Sequence, residues 1–306
     1  MLEDKPLVSV VITTYKRSPE IVGRALKSVV RQTYSNLEIF VVNDYPDDAE
    51  MAEALGKTIK RIAGKRNAHY IVVEHNGGAC KARNLALTQA QGKYIACLDD
   101  DDEWLPQKVQ LQVEKLEANP TAAIAYCNAE LHYEGNEPDR NRFLVPQQEG
   151  NIYFKMIGKN IIGSCSFPMF RMKVLKEVRG FNEDMPALQD WELYLRILKH
   201  HEAVYIDKPL AIYYFYDGER ISTHSDRRTI AYEKVRKLIN DDLKLDKKAA
   251  SSFYLMGTYF YSLNGEMCQA FRYYCRGVRC NPFNLKRNTK DFLRMTLRKF
   301  VKTKHV

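Results

Sequence analysis

The 306-residue chain lacks any apolar run approaching the roughly 20 residues that a membrane-spanning helix needs; its longest, such as Val8–Ile12 and Ala122–Tyr126, are a handful of residues. Glycine is sparse at 15 residues, no G-x-G-x-x-G follows the first strand-like run, and G-x-x-x-x-G-K-[ST] occurs nowhere. Those absences argue against dinucleotide oxidoreductases and P-loop nucleotidases. Seven cysteines, at 80, 97, 127, 165, 268, 275 and 280, show neither C-x-x-C nor metal-ligand spacing. Neither a disulfide scaffold nor a zinc site is expected, and a reducing cytoplasm is the simplest home. The N-terminus, MLEDKPLVSVVITTY, carries acids where a secretory signal carries bases, so export is not expected.

What is present is the composition of an ordinary globular protein, 45% hydrophobic and 28% charged. The length allows one large α/β domain with a smaller appendage. The net charge of +9 is unevenly placed: residues 1–225 hold 28 Lys and Arg against 31 Asp and Glu, whereas 226–306 hold 19 against 7. That asymmetry points to an anionic partner for the C-terminal quarter.

Val8-Ser-Val-Val-Ile-Thr-Thr reads as a strand buried on both faces of a parallel sheet. Residues 19–33 then place Ile21, Val22, Ala25, Leu26, Val29 and Val30 at helical spacing, and Leu37–Asp44 follows as a second buried strand, completing a βαβ unit. Helix over 48–64, strand over 69–73, helix over 79–90 and strand over 93–98 repeat the alternation. The first 100 residues therefore predict a doubly wound nucleotide-binding half-domain. Beyond them the pattern predicts a helix over 107–118, a strand over 122–127, irregular polar chain over 129–150 and a helix from Leu188, while 151–181, with Gly163-Ser-Cys-Ser, has no clear period.

Ligands of such sheets sit beyond the carboxyl ends of the strands. Those stations are Thr13–Tyr15, Asn43–Asp44 and the four consecutive aspartates 99–102. An acidic run is commonly a solvated turn that caps a helix. Four carboxylates crowded at a strand's end nevertheless repel one another, and Mg2+ or Mn2+, held by one or two of them and completed by substrate phosphates, is the usual remedy.

Four segments, in order, are similar to glycosyltransferase family 2, the inverting nucleotide-sugar enzymes of the GT-A fold. They are VSVVITTYKR, LKSVVRQTYSNLEIFVVND, NGGACKARNLALTQAQGKYIACLDDDD and FRMKVLKEVRGFNEDMPALQDWELYLRI. The resemblance covers residues 7 to about 215. It implies an α/β fold of GT-A type, a Rossmann-like, mixed but mainly parallel sheet flanked by helices, as a catalytic domain over 1–225; residues 226–306, outside the resemblance, read as a basic C-terminal helical appendage. It also implies that Asp44 binds the nucleobase edge with Thr13, Thr14 and Tyr15 lining the pocket, that Arg83 approaches the ribose or phosphates, and that Asp99 and Asp100 meet the ribose and sugar. Asp101 becomes the ligand of Mn2+ or Mg2+ bridged to the diphosphate, and Asp190 the general base. An inverting transfer needs those last two tasks filled. Asn43, Tyr45-Pro46 and Gln189 depart from the family's pattern, the first two at the base contacts.

Trp191 reads as a core residue of its helix, whereas Trp104, beside the aspartates, is the tryptophan better placed to touch a ligand. His224 reads either as a further metal or diphosphate ligand or as a solvated loop residue. Phe253, Met256, Gly257, Phe260, Ala270, Tyr274, Gly277 and Pro282 match one tetratricopeptide helix pair. The segment 285–306, with eight Lys and Arg and one Asp, forms a basic amphipathic pattern that suits an anionic membrane surface, though an ordinary solvated helix has the same look. The expected protein is a cytoplasmic enzyme, peripheral on the inner face of the cell membrane if that segment binds lipid. It would move a sugar from a nucleotide-sugar donor, a UDP-sugar, to a saccharide or lipid-linked acceptor in surface polysaccharide synthesis. The alternatives are a sugar nucleotidyltransferase and a catalytically silent sugar-nucleotide-binding scaffold. No nucleic-acid module is present.

Overall fold

The computed structural model describes residues 5–133, 142–143, 148–215 and 225–282. The chain divides into two compact units: residues 1–152, 162–183 and 196–217 form one, and 153–161, 184–195 and 218–306 the other. Two short segments from within 1–225 thus share a unit with the C-terminal helices.

The first unit holds the sheet. Its strands are β1 (Val8–Thr14), β2 (Leu37–Asn43), β3 (Asn67–Val72), β4 (Tyr94–Asp99), β5 (Glu103–Trp104), β6 (Ala122–Tyr133), β7 (Arg142–Phe143), β8 (Met169–Arg171) and β9 (Glu202–Phe215). The order is β3-β2-β1-β4-β8-β6-β9-β5, with β7 paired to β6. The first four strands run parallel, as the βαβ alternation predicts, and β8 turns the sheet mixed by pairing antiparallel with β4 and β6. All seven residues of β1 are buried, which is why its sequence is continuously apolar and β-branched.

The helices of this unit follow their sequence signals. In α1 (Pro19–Val30), Pro19 stands in the first turn, where its missing N–H costs nothing, and Val22, Ala25, Leu26 and Val29 form the buried face. In α2 (Ala49–Ala63), Asp48 caps the start by accepting from the Met51 N–H at 2.8 Å. The helices α3 (Ala79–Gln89), α4 (Lys108–Glu117) and α6 (Met172–Glu177) complete the described set in this unit.

Two expectations need correction. The strand read as 122–127 continues to Tyr133, because Asn128–Tyr133 pair with β9 and bury Asn128, Ala129 and Leu131 while Glu130 and His132 remain half-exposed. Asn128–His132 alternate polar and apolar, the pattern of a strand with one face open, and the turn-rich GNEP and PQQEGN sequences that follow mask it. Trp104 is not at a ligand surface: as half of β5 it pairs with Ala211, is 3% exposed, and donates its indole N–H to the Ser166 carbonyl at 2.8 Å.

Two buried charges tie the sheet internally. Glu38 accepts from the Ser9 hydroxyl and from the N–H groups of Gln91 and Gly92, joining β1, β2 and the entry to β4. A Cβ at Gly92 would stand 2.6 Å from both the Ser9 nitrogen and the Tyr94 carbonyl oxygen, so only glycine fits that crossing. Lys108 is fully buried, donates to Gln112 Oε1 at 2.8 Å, and places its ammonium 4.0 Å from the centre of the Trp104 ring.

Burial pushes the Lys108 ammonium down from 10.5 to about 8. Between those values the unfolded chain holds the proton and the folded chain has released it, so this group's contribution to stability rises with pH; below 8 both states are charged and the full penalty, on the order of 3 kcal/mol, is present. Lys108→Met removes that dependence. Denaturant titrations at pH 7 and pH 10 are expected to show wild type gaining roughly 2–3 kcal/mol on the variant as pH rises, whereas a constant difference would mean the amine is not held against its charge.

In the second unit, α9 (Lys247–Leu263) and α10 (Met267–Cys280) form the expected helix pair, α9 being capped by Asp246. Ser251 donates to the Gly277 carbonyl at 2.7 Å, and Gly277 lets the backbones approach this closely. Tyr232, on α8 (Ser225–Leu238), stacks on Phe253 with ring centres 4.5 Å apart. Trp191 is core, as expected: it lies on α7 (Gln189–Leu198), is 1% exposed, and donates to the Met156 carbonyl of α5 (Tyr153–Gly158). His224 and the segment 285–306 lie outside the described residues.

Candidate active site

The three stations at the strand ends meet by register. Thr14 is opposite Asn43, and Thr13 is opposite Asp99. Thr13, Thr14, Tyr15, Asp44, Arg83, Asp99, Asp100 and Asp101 all belong to the first unit; Asp190 belongs to the second.

Asp44 is 3% exposed and its carboxylate accepts three hydrogen bonds from the chain itself, from Asn76 Nδ2 at 2.9 Å, the Gly77 N–H at 2.9 Å and the Gly78 N–H at 2.7 Å. It thereby fixes the N-G-G turn that opens α3. Gly78, at φ 82°, supplies the backbone conformation that an L side chain resists. From α3, Arg83 reaches Asp99 Oδ1 at 2.7 Å while its guanidinium lies 5.3 Å from the centre of the Phe181 ring.

The four aspartates occupy four different environments. The Asp99 carboxylate, 31% exposed, is shared between Arg83 and the Ser164 hydroxyl, the latter at 3.0 Å. The Asp100 side chain is 10% exposed, and burial pushes its carboxyl up to about 6, with the charges of Asp101 and Asp99 acting the same way and Thr14 and Arg17 opposing. Asp101 is 21% exposed and meets Arg17 Nη2 at 2.8 Å. Asp102 is fully buried, accepts from the Ser166 hydroxyl at 2.6 Å and the Tyr214 N–H at 3.3 Å, and is pushed well up by burial. It is a structural anchor of the turn.

The residues that seat this turn escape sequence reasoning. Ser164 and Ser166 come from the Gly163-Ser-Cys-Ser stretch that has no clear period; only its small polar residues next to a glycine hint at close backbone approach. Arg17 bridges Asp100 and Asp101, and Arg24 donates to the Asp101 carbonyl at 2.8 Å. At the other end of the site, Tyr15 is 47% exposed and meets Tyr45 edge to face at 5.5 Å, with the Lys16 ammonium 4.8 Å from the centre of the Tyr45 ring.

The donor set suits a hard cation. Among the described residues no three His, Cys, Asp or Glu side chains converge as a protein-only cage. Mg2+ and Mn2+ sites completed by substrate phosphates need only one or two carboxylates, and Asp101 offers one that is partly open to solvent. The buried Thr14 hydroxyl lies towards Asp100 and favours its charged form.

In the second unit, Asp190 stands in the first turn of α7. Its Oδ1 accepts from the Trp191 N–H at 2.7 Å and its Oδ2 from Asn160 Nδ2 at 3.3 Å. Leu188, two residues earlier, is held in the left-handed region at φ 56°, a strained setting for leucine that fixes how the chain enters the helix.

Comparison with known proteins agrees with this architecture. The profile described as glycosyl transferase family 2 matches residues 9–179. WcaA of Escherichia coli K12, whose name assigns it to colanic acid biosynthesis as a glycosyl transferase, is 30% identical over 76% of this chain and 80% of its own. WfgD of Escherichia coli, a UDP-Glc:α-D-GlcNAc-diphosphoundecaprenol β-1,3-glucosyltransferase, is 30% identical over 64% of this chain and 71% of its own. Several other relatives are longer, and the chain spans only 21 to 43% of their length. Among solved structures, TarS residues 1–349 of S. aureus with UDP-GlcNAc aligns at TM-score 0.65 and 18% identity over 89% of this chain and 81% of that one. The mannosyltransferase PcManGT of Pyrobaculum calidifontis with GDP-Man and Mn2+ aligns at TM-score 0.60 and 16% identity, covering 96% and 84%. Those two likenesses establish the GT-A fold. With the motif order, the sheet and the profile match in agreement, the chain belongs to glycosyl transferase family 2.

Proposed function

We propose that the protein is an inverting, metal-dependent glycosyltransferase that moves a sugar from a nucleotide diphosphate, a UDP-sugar, to a saccharide or lipid-linked acceptor in surface polysaccharide or glycolipid synthesis. The Asp99–Asp102 turn carries this reading. It brings a partly exposed carboxylate together with two arginines at the carboxyl end of β4, the end at which sheets of this kind bind their ligands. WfgD, by name, uses a UDP-sugar donor and a diphosphoundecaprenol-linked acceptor, which supports the same chemistry here.

In this reading the Tyr15–Tyr45 end and the Asp44-fixed loop receive the nucleoside, with Thr13 and Thr14 lining the pocket. Arg83 and Asp99, locked together, define the ribose and phosphate side, and Asp100 lies against the sugar. Asp101 would hold Mn2+ or Mg2+, which when bound neutralises charge on the departing diphosphate. Asp190 takes the proton of the acceptor hydroxyl as that oxygen bonds to the anomeric carbon. The bond from that carbon to the diphosphate oxygen breaks on the opposite face, and the electron pair leaves with the nucleotide, inverting the centre. No helix among the described residues is long and apolar enough to cross a membrane; a cytoplasmic enzyme that meets the inner membrane face through 285–306 would fit a lipid-linked acceptor.

Calorimetric titration with UDP-, GDP- and dTDP-sugars, with and without Mn2+, tests the donor side. One donor is expected to bind in a metal-dependent way, and Asp101→Ala to weaken that binding by about 100-fold, the loss of a charge-assisted ligand on the order of 3 kcal/mol. Folded protein that binds no donor with metal present would instead favour the silent scaffold.

A further inference from the structure

Arg17 touches both central members of the acidic turn. Its Nε lies 3.3 Å from Asp100 Oδ1 and its Nη2 2.8 Å from Asp101 Oδ2, across 83 and 84 residues of chain. It follows Lys16, whose φ of 53° bends the chain immediately past β1. We propose that Arg17 is the resident counterion of the Asp100–Asp101 pair, yielding Asp101 to the divalent cation more readily when a diphosphate arrives to receive its guanidinium. The inference rests on the metal assignment under Proposed function and adds to it a coupling between metal and nucleotide.

Three observations favour a movable role for this arginine. First, its side chain is 34% exposed, against 9% for Arg83, whose guanidinium is committed to Asp99. Second, its hydrogen bonds to Asp100 and Asp101 both end on side-chain carboxylates, so Arg17 can leave without disturbing the backbone of the turn. Third, that backbone has its own support: Arg24 holds the Asp101 carbonyl at 2.8 Å while its guanidinium lies 4.0 Å from the centre of the Tyr214 ring. Asp101 therefore stays in place after Arg17 departs.

Electrostatics makes simultaneous occupancy unfavourable. A dication ligated by the Asp101 carboxylate would sit about 2.0–2.1 Å from an oxygen, and a guanidinium on the same carboxylate would then be a like charge only a few ångströms away. A bound diphosphate resolves the conflict, because a planar guanidinium pairs as well with phosphate oxygens as with carboxylate. Metal alone must displace Arg17 into water; metal with nucleotide transfers it to a new anion. Each ligand thus strengthens the other, and by linkage the factor is the same in both directions.

The test is Mn2+ binding, read as loss of the free-ion paramagnetic resonance signal, for wild type, Arg17→Gln, Arg17→Lys and Asp101→Asn, with and without whichever of UDP or GDP binds. Circular dichroism confirms that each variant is folded. Arg17→Gln is expected to bind Mn2+ without nucleotide about tenfold more tightly than wild type, and the enhancement by nucleotide to shrink by a similar factor, within the usual range of coupling between sites. Arg17→Lys, which keeps the charge, is expected to stay near wild type. Equal or weaker Mn2+ binding by Arg17→Gln, with Asp101→Asn abolishing it, overturns the counterion role alone. Nucleotide-dependent Mn2+ binding that survives Asp101→Asn overturns the metal assignment, and the counterion role with it.

Discussion

Asp190→Asn is expected to lower the turnover number for sugar transfer by roughly 10^2–10^4, the contribution of a positioned general base, while leaving donor affinity and fold intact. The replacement is nearly isosteric. Its carbonyl oxygen can still accept from the Trp191 N–H, and the Asn160 amide can turn to present its own oxygen to the new NH2 group, so these two contacts survive. What is lost is a carboxylate able to carry the acceptor's proton. Calorimetry with the donor and metal, alongside a radiolabelled transfer assay, separates binding from turnover. A variant that keeps more than a tenth of wild-type turnover would place the base elsewhere. The strained Leu188 gives the position a second meaning, since the backbone entering α7 is held in a costly conformation.

Asp44→Asn is expected to act on stability and donor binding together. Three N–H donors converge on this buried carboxylate, and exchanging one oxygen for an NH2 group leaves two donors facing each other. The cost of one unsatisfied buried backbone N–H is about 1–3 kcal/mol, more where the lost partner is charged. The N-G-G turn and the start of α3 would loosen, and Arg83 with them. Donor affinity is expected to fall by about 100-fold, equivalent to roughly 2.7 kcal/mol. Denaturant titration distinguishes this from a purely local contact to the base: loss of donor binding with stability unchanged to within about 0.5 kcal/mol would mean that Asp44 serves the ligand and not the loop.

The acidic turn shows where sequence reading ends. The strand positions of β1, β2 and β4 are legible because each is a short apolar run buried on both faces, and the doubly wound order follows from helical periods between them. The turn itself is legible as four like charges in a row. Its internal division of labour is not, because burial and partners differ over single residues: Asp102 is anchored by Ser166 and Tyr214, Asp99 by Arg83 and Ser164, and those partners lie from 16 to 112 residues away. Trp104 is concealed for the same reason. Flanked by acids and a proline, it has the appearance of a turn residue, and partners distant in sequence, β9 in the sheet and the Ser166 carbonyl on its indole, accompany its burial. Lys108 falls at helical spacing with the buried Val109, Gln112, Val113 and Leu116 of α4, but its residue type gives no sign that an ammonium is fully buried there.

The hydrogen bond from the Tyr214 N–H to Asp102 also sets a timetable. It joins residues separated by 112 positions, which at a synthesis rate of about 5–20 residues per second puts roughly 6–22 s between their appearance. By the time Asp102 has been made, β1, β2, β3 and β4 all exist, so the parallel half of the sheet has every strand it needs. The strand that seats its acidic turn does not. A nascent chain halted short of Tyr214 would carry Asp44, Arg83 and all four aspartates and lack the last fastening among them, so the order of translation makes this end of the enzyme the first to be assembled and among the last to be completed.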